Sequence, residues 1–141
     1  MRCAEIMNKV ECCFIDDSVG DVAGRMRARH VGFLPVCNDH GQVIGTITDR
    51  DLTIRVLADR LSPETPVQAV MSKGPITCRP DAPLAEVEAM MERYYKWRIV
   101  VVDPQRRPIG IISISDIADA EQYGRTGRLL REISSRDVRV F

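Results

Sequence analysis

Two eight-residue stretches of this chain set a hydroxyl side chain three positions before a carboxylate: Ile44-Gly45-Thr46-Ile47-Thr48-Asp49-Arg50-Asp51 and Ile109-Gly110-Ile111-Ile112-Ser113-Ile114-Ser115-Asp116. In each, a strand-like apolar run stops at the hydroxyl residue and a helix is expected to begin. A helix start exposes unpaired backbone N–H groups and the positive end of the helix dipole, which suits a phosphate. The hydroxyl of Thr48 or Ser113 offers that phosphate another donor, and Asp51 or Asp116 can accept from both hydroxyls of a ribose diol. Together these parts suit a nucleotide. The same spacing is also that of a helix capping box, in which the Asp serves only backbone and each cap contributes about 0.5–2 kcal/mol. Both roles can hold at once, with a ligand displacing a cap, and local chemistry leaves the two readings open. Arg50, in the first turn, runs against the dipole preference, which fits a side chain reaching an anion and equally a solvated one.

Little else in the chain offers chemistry. Cys3, Cys12, Cys13, Cys37 and Cys78 are odd in number and lack Cys-x-x-Cys spacing, so they read as reduced thiols and mostly core filler. Cys3, close to the chain start, is expected to be exposed and oxidisable. His30 and His40 have no second ligand at metal spacing, so no metal site is expected. Gly-x-Gly-x-x-Gly and P-loop patterns are absent, and no nucleophile–base set can be argued, so no catalysis is expected.

The elements that must position the two stretches come from an internal repeat. An offset of 65 residues lays Asp16 on Asp81, Val22 on Val87, Met26 on Met91, Val36 on Val101, Gly45 on Gly110, Ile47 on Ile112 and Asp51 on Asp116. With one residue fewer, Met7-Asn8-Lys9 falls on Met71-Ser72-Lys73. Each copy opens with a strand-like segment (10–15 or 76–79), then a helix. Ser18 or Asp17 caps the first helix and Pro83 suits the first turn of its counterpart. A strand (33–37 or 99–102), a turn and a second strand (43–48 or 109–113) follow, and a second helix opens at Asp49 and at Ile114 or Ser115. The predicted fold is α/β, or α+β in its segregation, with two β-α-β-β-α repeats related by a pseudo-twofold. The expected boundaries are 5–60 for the first repeat, 61–69 for a linker, 70–122 for the second repeat and 123–141 for a basic tail. That tail holds five Arg against Glu132 and Asp137, a local charge of +3, and reads as a solvated or dimer-packing helix, or else as a weak polyanion-binding segment. Gly45 and Gly110 are expected to permit close packing or an irregular strand rather than to contact phosphate, and Met90 and Met91 to fill core.

Composition narrows the function classes. The 141 residues are 45% hydrophobic and 28% charged, ordinary for a globular protein. Twenty basic residues balance 20 acidic ones, which removes any global electrostatic argument for nucleic acid or an anionic membrane. No apolar run nears the ~20 residues of a membrane span, and the start lacks a signal-peptide stretch, so a cytoplasmic protein is expected.

The ordered set of Met7-Asn8-Lys9, Phe33-Leu34-Pro35-Val36, Val43–Leu52, Met71-Ser72-Lys73, Arg98–Asp103 and Gly110–Ile117 resembles a tandem pair of CBS domains, often called a Bateman module. The resemblance covers about residues 5–122 and leaves the tail outside. It implies a small stand-alone regulatory module, without catalysis, that binds AMP, ADP or ATP in clefts between the repeats and dimerises through its helices. It assigns Thr48 and Asp51, with Ile76, Thr77, Trp97 and Arg98, to one site, A, to which the first-turn position of Arg50 adds that residue. It assigns Ser113 and Asp116, with Cys12, Gly32 and Phe33, to the other, B. Site B lacks a counterpart of Arg98, so site A is the expected one if a single cleft is filled. Trp97, the sole tryptophan, reads as core, interface or ligand contact. Two alternatives remain: a dimerisation module with empty clefts, and a binder of S-adenosylmethionine or NADH, which shares the ribose carboxylate.

Overall fold

The structure, a computed structural model, describes residues 1–120. Its elements in chain order are α1 (Cys3–Ile6), β1 (Cys13–Phe14), α2 (Val19–Arg29), β2 (Phe33–Cys37), β3 (Val43–Thr48) and α3 (Asp49–Asp51), which runs on as a π-helical stretch (Leu52–Leu57). A 3₁₀ turn (Val67–Ala69), β4 (Ser72–Lys73), β5 (Thr77–Cys78), α4 (Leu84–Tyr94), β6 (Arg98–Val102), β7 (Pro108–Ser113) and α5 (Ile114–Ala120) complete them. The β-α-β-β-α order appears twice, and the fold is mixed α+β with two sheets. The tail, including its expected helix, lies outside the described residues. No helix among the described residues is long and apolar enough to cross a membrane.

The chain divides into two compact units, called here after the hydroxyl residue each carries. The Thr48 unit comprises residues 11–75 with 106–108. Its four-stranded sheet runs β1-β2-β3-β4, with β1 parallel to β2 and both other pairings antiparallel. Ser18 caps α2 by accepting from the Asp21 N–H at 3.1 Å. Val19, Val22 and Met26 sit at helical spacing and pack on Leu34, Val36 and Ile47 of the sheet. Val67 and Val70, from the expected linker and its edge, close the same core. Gly45 faces β4: a Cβ there would lie 2.6 Å from Met71 Sδ and 2.8 Å from the Ser72 carbonyl oxygen. The close packing expected of this glycine is therefore an approach of backbone to backbone.

The Ser113 unit comprises, among the described residues, 1–10, 76–105 and 109–120. Its three-stranded sheet runs β5-β6-β7, with β5 parallel to β6. Leu84, Val87 and Met91 are the buried stripe of α4, and Val87 and Met91 pack on Ile99, Val101 and Ile112; Met90 packs partly against the same core. Pro83 is the residue before α4, in extended backbone, one position earlier than a first-turn proline. Residues 1–10 belong to this unit. Asn8 and Ile111 exchange N–H···O bonds of 2.9 and 3.0 Å, and Met7 Sδ lies 2.6 Å from where a Gly110 Cβ would stand. Each matched Met-x-Lys segment thus packs on the glycine strand of the copy that precedes or follows it in the pattern, rather than on its own copy. Cys3 is fully buried in this core, which corrects the expectation of an exposed thiol. A terminus is buried where it supplies core to another segment.

Both long helices end on the same device. His30 and Tyr95 take left-handed backbone (φ 55° and 54°), and their N–H groups bond to the carbonyls of Met26 and Met91. Non-glycine residues pay for this geometry, and its recurrence at the 65-residue offset marks it as part of the repeat.

Candidate functional site

In the Thr48 unit, β3 ends at Thr48 and α3 begins at once. The Asp51 N–H donates to Thr48 Oγ1 at 3.0 Å, and the Thr48 N–H donates to Asp51 Oδ2 at 3.0 Å. The Asp49 N–H donates to the Gly32 carbonyl at 3.0 Å. A Cβ on Gly32 would stand 2.6 Å from Asp49 Oδ2, so glycine leaves room for that carboxylate. Phe33 pairs with Thr48 across β2 and β3. The exposed Arg50 donates its N–H to Asp49 Oδ1 at 2.8 Å.

The Ser113 unit repeats this turn with different surroundings. The Asp116 N–H donates to Ser113 Oγ at 3.2 Å, and the Ser113 N–H donates to Asp116 Oδ2 at 2.8 Å. The Ile114 N–H donates to the Trp97 carbonyl at 3.0 Å, the counterpart of the Asp49–Gly32 bond. Trp97, 64% exposed, and the exposed Arg98 therefore stand beside this turn, where Gly32 and Phe33 stand beside the other. Both turns are reciprocal capping boxes, and the capping reading holds in each.

What remains for a ligand follows from counting. A carboxylate offers about four lone-pair sites. Asp116 Oδ2 accepts from the Ser113 N–H and from Ser113 Oγ (2.8 Å), and its Oδ1 accepts from Asn8 Nδ2 (3.0 Å), which leaves about one. Asp51 accepts one backbone bond, and its other oxygen has only a 3.6 Å ion pair with the half-exposed Arg55. The Ser113 hydroxyl proton goes to Asp116, with Ser115 Oγ 2.9 Å away, whereas Thr48 Oγ1 has no acceptor for its proton among the described residues. Asp51 and Thr48 are the less committed pair.

The expected site residues divide between the units. Thr48, Arg50, Asp51, Cys12, Gly32 and Phe33 lie in the Thr48 unit, and Ser113, Asp116, Ile76, Thr77, Trp97 and Arg98 in the Ser113 unit. Within a unit, the structure brings Gly32 and Phe33 to Thr48, and Trp97 and Arg98 to Ser113. Ile76 packs against its own core and Thr77 pairs with Val100 in β5. Cys12 is half-buried, and its thiol pKa is drawn down to about 7, chiefly by a hydrogen bond from the Cys37 thiol and also by Arg25. Cys13, the next residue, is buried and pushed up to about 12. Asn8 and Arg55 were missed as partners of the two carboxylates. Arg55 stands four residues after Asp51, a helical spacing that signals such a pair, whereas nothing local links Asn8 to Asp116. Among the described residues no group of three or more His, Cys, Asp or Glu is placed to hold a metal.

Duplicated α+β repeats, each with a hydroxyl–carboxylate turn at a strand-to-helix junction, define a tandem-repeat module. The CBS domain profile matches residues 3–58 and 67–123, and the chain belongs to the CBS domain family. It is 30% identical over 132 residues to the uncharacterized protein YlbB of Bacillus subtilis, covering 92% of this chain and 88% of that one. The crystal structure of Hypoxic Response Protein I with two coordinated zinc ions is similar, with a TM-score of 0.77 and 30% identity over 84% of this chain and 98% of that one. The CBS domain pair of protein MJ0100, in complex with 5-methylthioadenosine and S-adenosyl-L-methionine, gives a TM-score of 0.75 and 25% identity, covering 86% of this chain and 95% of that one.

Proposed function

We propose that this chain is a regulatory module, without catalysis, that binds an adenosine nucleotide (AMP, ADP or ATP) at its hydroxyl–carboxylate turns. The observation that carries the reading is the pairing, at one helix start, of a Thr48 hydroxyl proton without an acceptor among the described residues and an Asp51 carboxylate with sites to spare. The turn thus offers a donor to phosphate and acceptors to a ribose diol. Thr48 and Asp51 are the primary pair, and Ser113 and Asp116 the secondary one. Arg98 supplies phosphate dependence through its planar guanidinium. A specific observation favours a second reading: MJ0100, 25% identical, is in complex with two adenosine-containing sulfur compounds, one of them S-adenosyl-L-methionine. The chain acts in the cytoplasm as a homodimer that transmits ligand occupancy to a partner protein. The stripes of α2 and α4 are covered within their units, so the dimer is driven by Ile54, Leu57 and Leu61, which are 51%, 73% and 42% exposed.

Calorimetric titration of AMP, ADP, ATP, adenosine and S-adenosylmethionine into the wild type, Asp51→Ala and Asp116→Ala tests the assignment. Loss of one charge-assisted bond costs about 1.5–3 kcal/mol, so Asp51→Ala should weaken nucleotide binding roughly ten- to hundredfold. Unchanged affinity with lowered stability would leave Asp51 a cap and nothing more. Arg98→Ala should weaken nucleotides by a similar factor and leave adenosine nearly untouched. Its coupling to Asp51→Ala or to Asp116→Ala in double-mutant cycles assigns it to one turn.

A further inference from the structure

Two thiols of the Ser113 unit face each other. Cys3 Sγ and Cys78 Sγ lie 3.6 Å apart, 75 residues distant in sequence. Both belong to one apolar core cluster, with Ile6 and Met7 packed against it from α1 and the residue after it. Cys3 belongs to a four-residue helix near the chain start. Besides that packing, its segment is fastened by backbone bonds from Cys3 N–H to Ala82 at 3.0 Å, Ala4 N–H to Pro80 at 2.9 Å and Leu84 N–H to Met1 at 3.1 Å, with the Asn8–Ile111 exchange beyond. Arg2 and Glu5 add polar contacts at the surface.

We propose that Cys3 and Cys78 are an oxidation site, at which a small-molecule disulfide such as oxidised glutathione installs a reversible bond that latches residues 1–10 onto the Ser113 unit. The geometry asks for a closing movement of about 1.5 Å, from 3.6 Å to a bonded distance of about 2.05 Å. Burial raises both thiol pKa values, so the reduced pair is inert while closed. A four-residue helix can open locally without unfolding the rest of its unit. Opening of α1 exposes Cys3, whose thiolate attacks one sulfur of oxidised glutathione and releases one glutathione thiolate. Cys78 then attacks the Cys3 sulfur of the mixed disulfide and releases the second. Two protein thiols are oxidised, one glutathione disulfide is reduced, and the two thiol protons leave with the glutathiones. The latch also pins the segment whose Asn8 holds Asp116, though the disulfide itself does not depend on the nucleotide reading.

The full chain is incubated with oxidised glutathione, alkylated, and digested for peptide mapping, with thermal melting recorded in parallel. The expected result is a linked Cys3–Cys78 peptide and a melting temperature raised by about 5–15 °C, because the bond closes a long loop. Dithiothreitol should reverse both. Cys3→Ala, which removes one of the two thiols and leaves Cys78 in place, should abolish the rise. Linkage mapped to Cys12 and Cys37 alone, a stable glutathione adduct on Cys3, or the same rise in Cys3→Ala would overturn the proposal.

Discussion

The two hydroxyl–carboxylate turns are built alike and furnished differently. In both, a strand end and a helix start are locked by reciprocal bonds between residues three apart. What faces the second carboxylate oxygen differs. Asp51 meets Arg55 from its own helix, and Asp116 meets Asn8 from the far start of the chain. Asp49 lies over Gly32 in one unit, where the other has Ile114 beside the exposed Trp97. The local bonds recur in both copies because both partners lie within one short stretch of each. Partners supplied from elsewhere carry no such constraint.

The largest expected contrast is in thiol reactivity. Cys12 aligns with Thr77, and Cys13 with Cys78, at the 65-residue offset. Thiolate is the nucleophile, so Cys12, at about 7, should alkylate with a rate that climbs as pH rises through about 7 and then levels off. Cys13 and Cys78, both raised by burial, should lag by at least about 100-fold at neutral pH. Iodoacetamide labelling read by mass spectrometry from pH 5 to 9 checks this, and comparable labelling of all three would erase the contrast.

Next comes the glycine packing. Gly45→Ala should cost about 1–3 kcal/mol, because its Cβ meets the Ser72 carbonyl at 2.8 Å as well as a flexible methionine. Gly110→Ala should cost less, since its nearest backbone atom, the Asn8 carbonyl oxygen, lies at 3.1 Å and the Met7 side chain can move. Urea melts of the two variants decide the order, and a reversed order would mean that the β4 contact is the softer one.

The caps themselves rank third. Thr48→Ala and Ser113→Ala should each lose about 0.5–2 kcal/mol. Ser113→Ala should lose more, because its hydroxyl also donates to Asp116. The smallest effect belongs to the outer partners. Arg55→Ala should change stability by about 0–1 kcal/mol, as expected of an ion pair whose Arg side chain is 44% exposed. Asn8→Ala should cost about 0.5–1.5 kcal/mol. It should also free an acceptor on Asp116, narrowing the difference in nucleotide affinity between Asp51→Ala and Asp116→Ala proteins.

The sequence by itself determined the repeat and the β-α-β-β-α order of each copy, and it offered caps at Ser18 or Asp17, Thr48 and Ser113 and close packing at Gly45 and Gly110. Each of these rests on residues a few positions apart, or on glycines whose missing side chain is itself the signal. The tertiary structure alone decided where the Met-x-Lys segments pack. Each is too short to bury its own apolar face, so its place depends on a glycine strand outside its copy. For the same reason Cys3 is core rather than surface, and Asn8 reaches Asp116 across 108 residues. The π-helical stretch after Asp51 likewise had no marker in the sequence. Local spacing encodes bonds between near neighbours, and only the folded chain chooses among distant partners of equal chemistry.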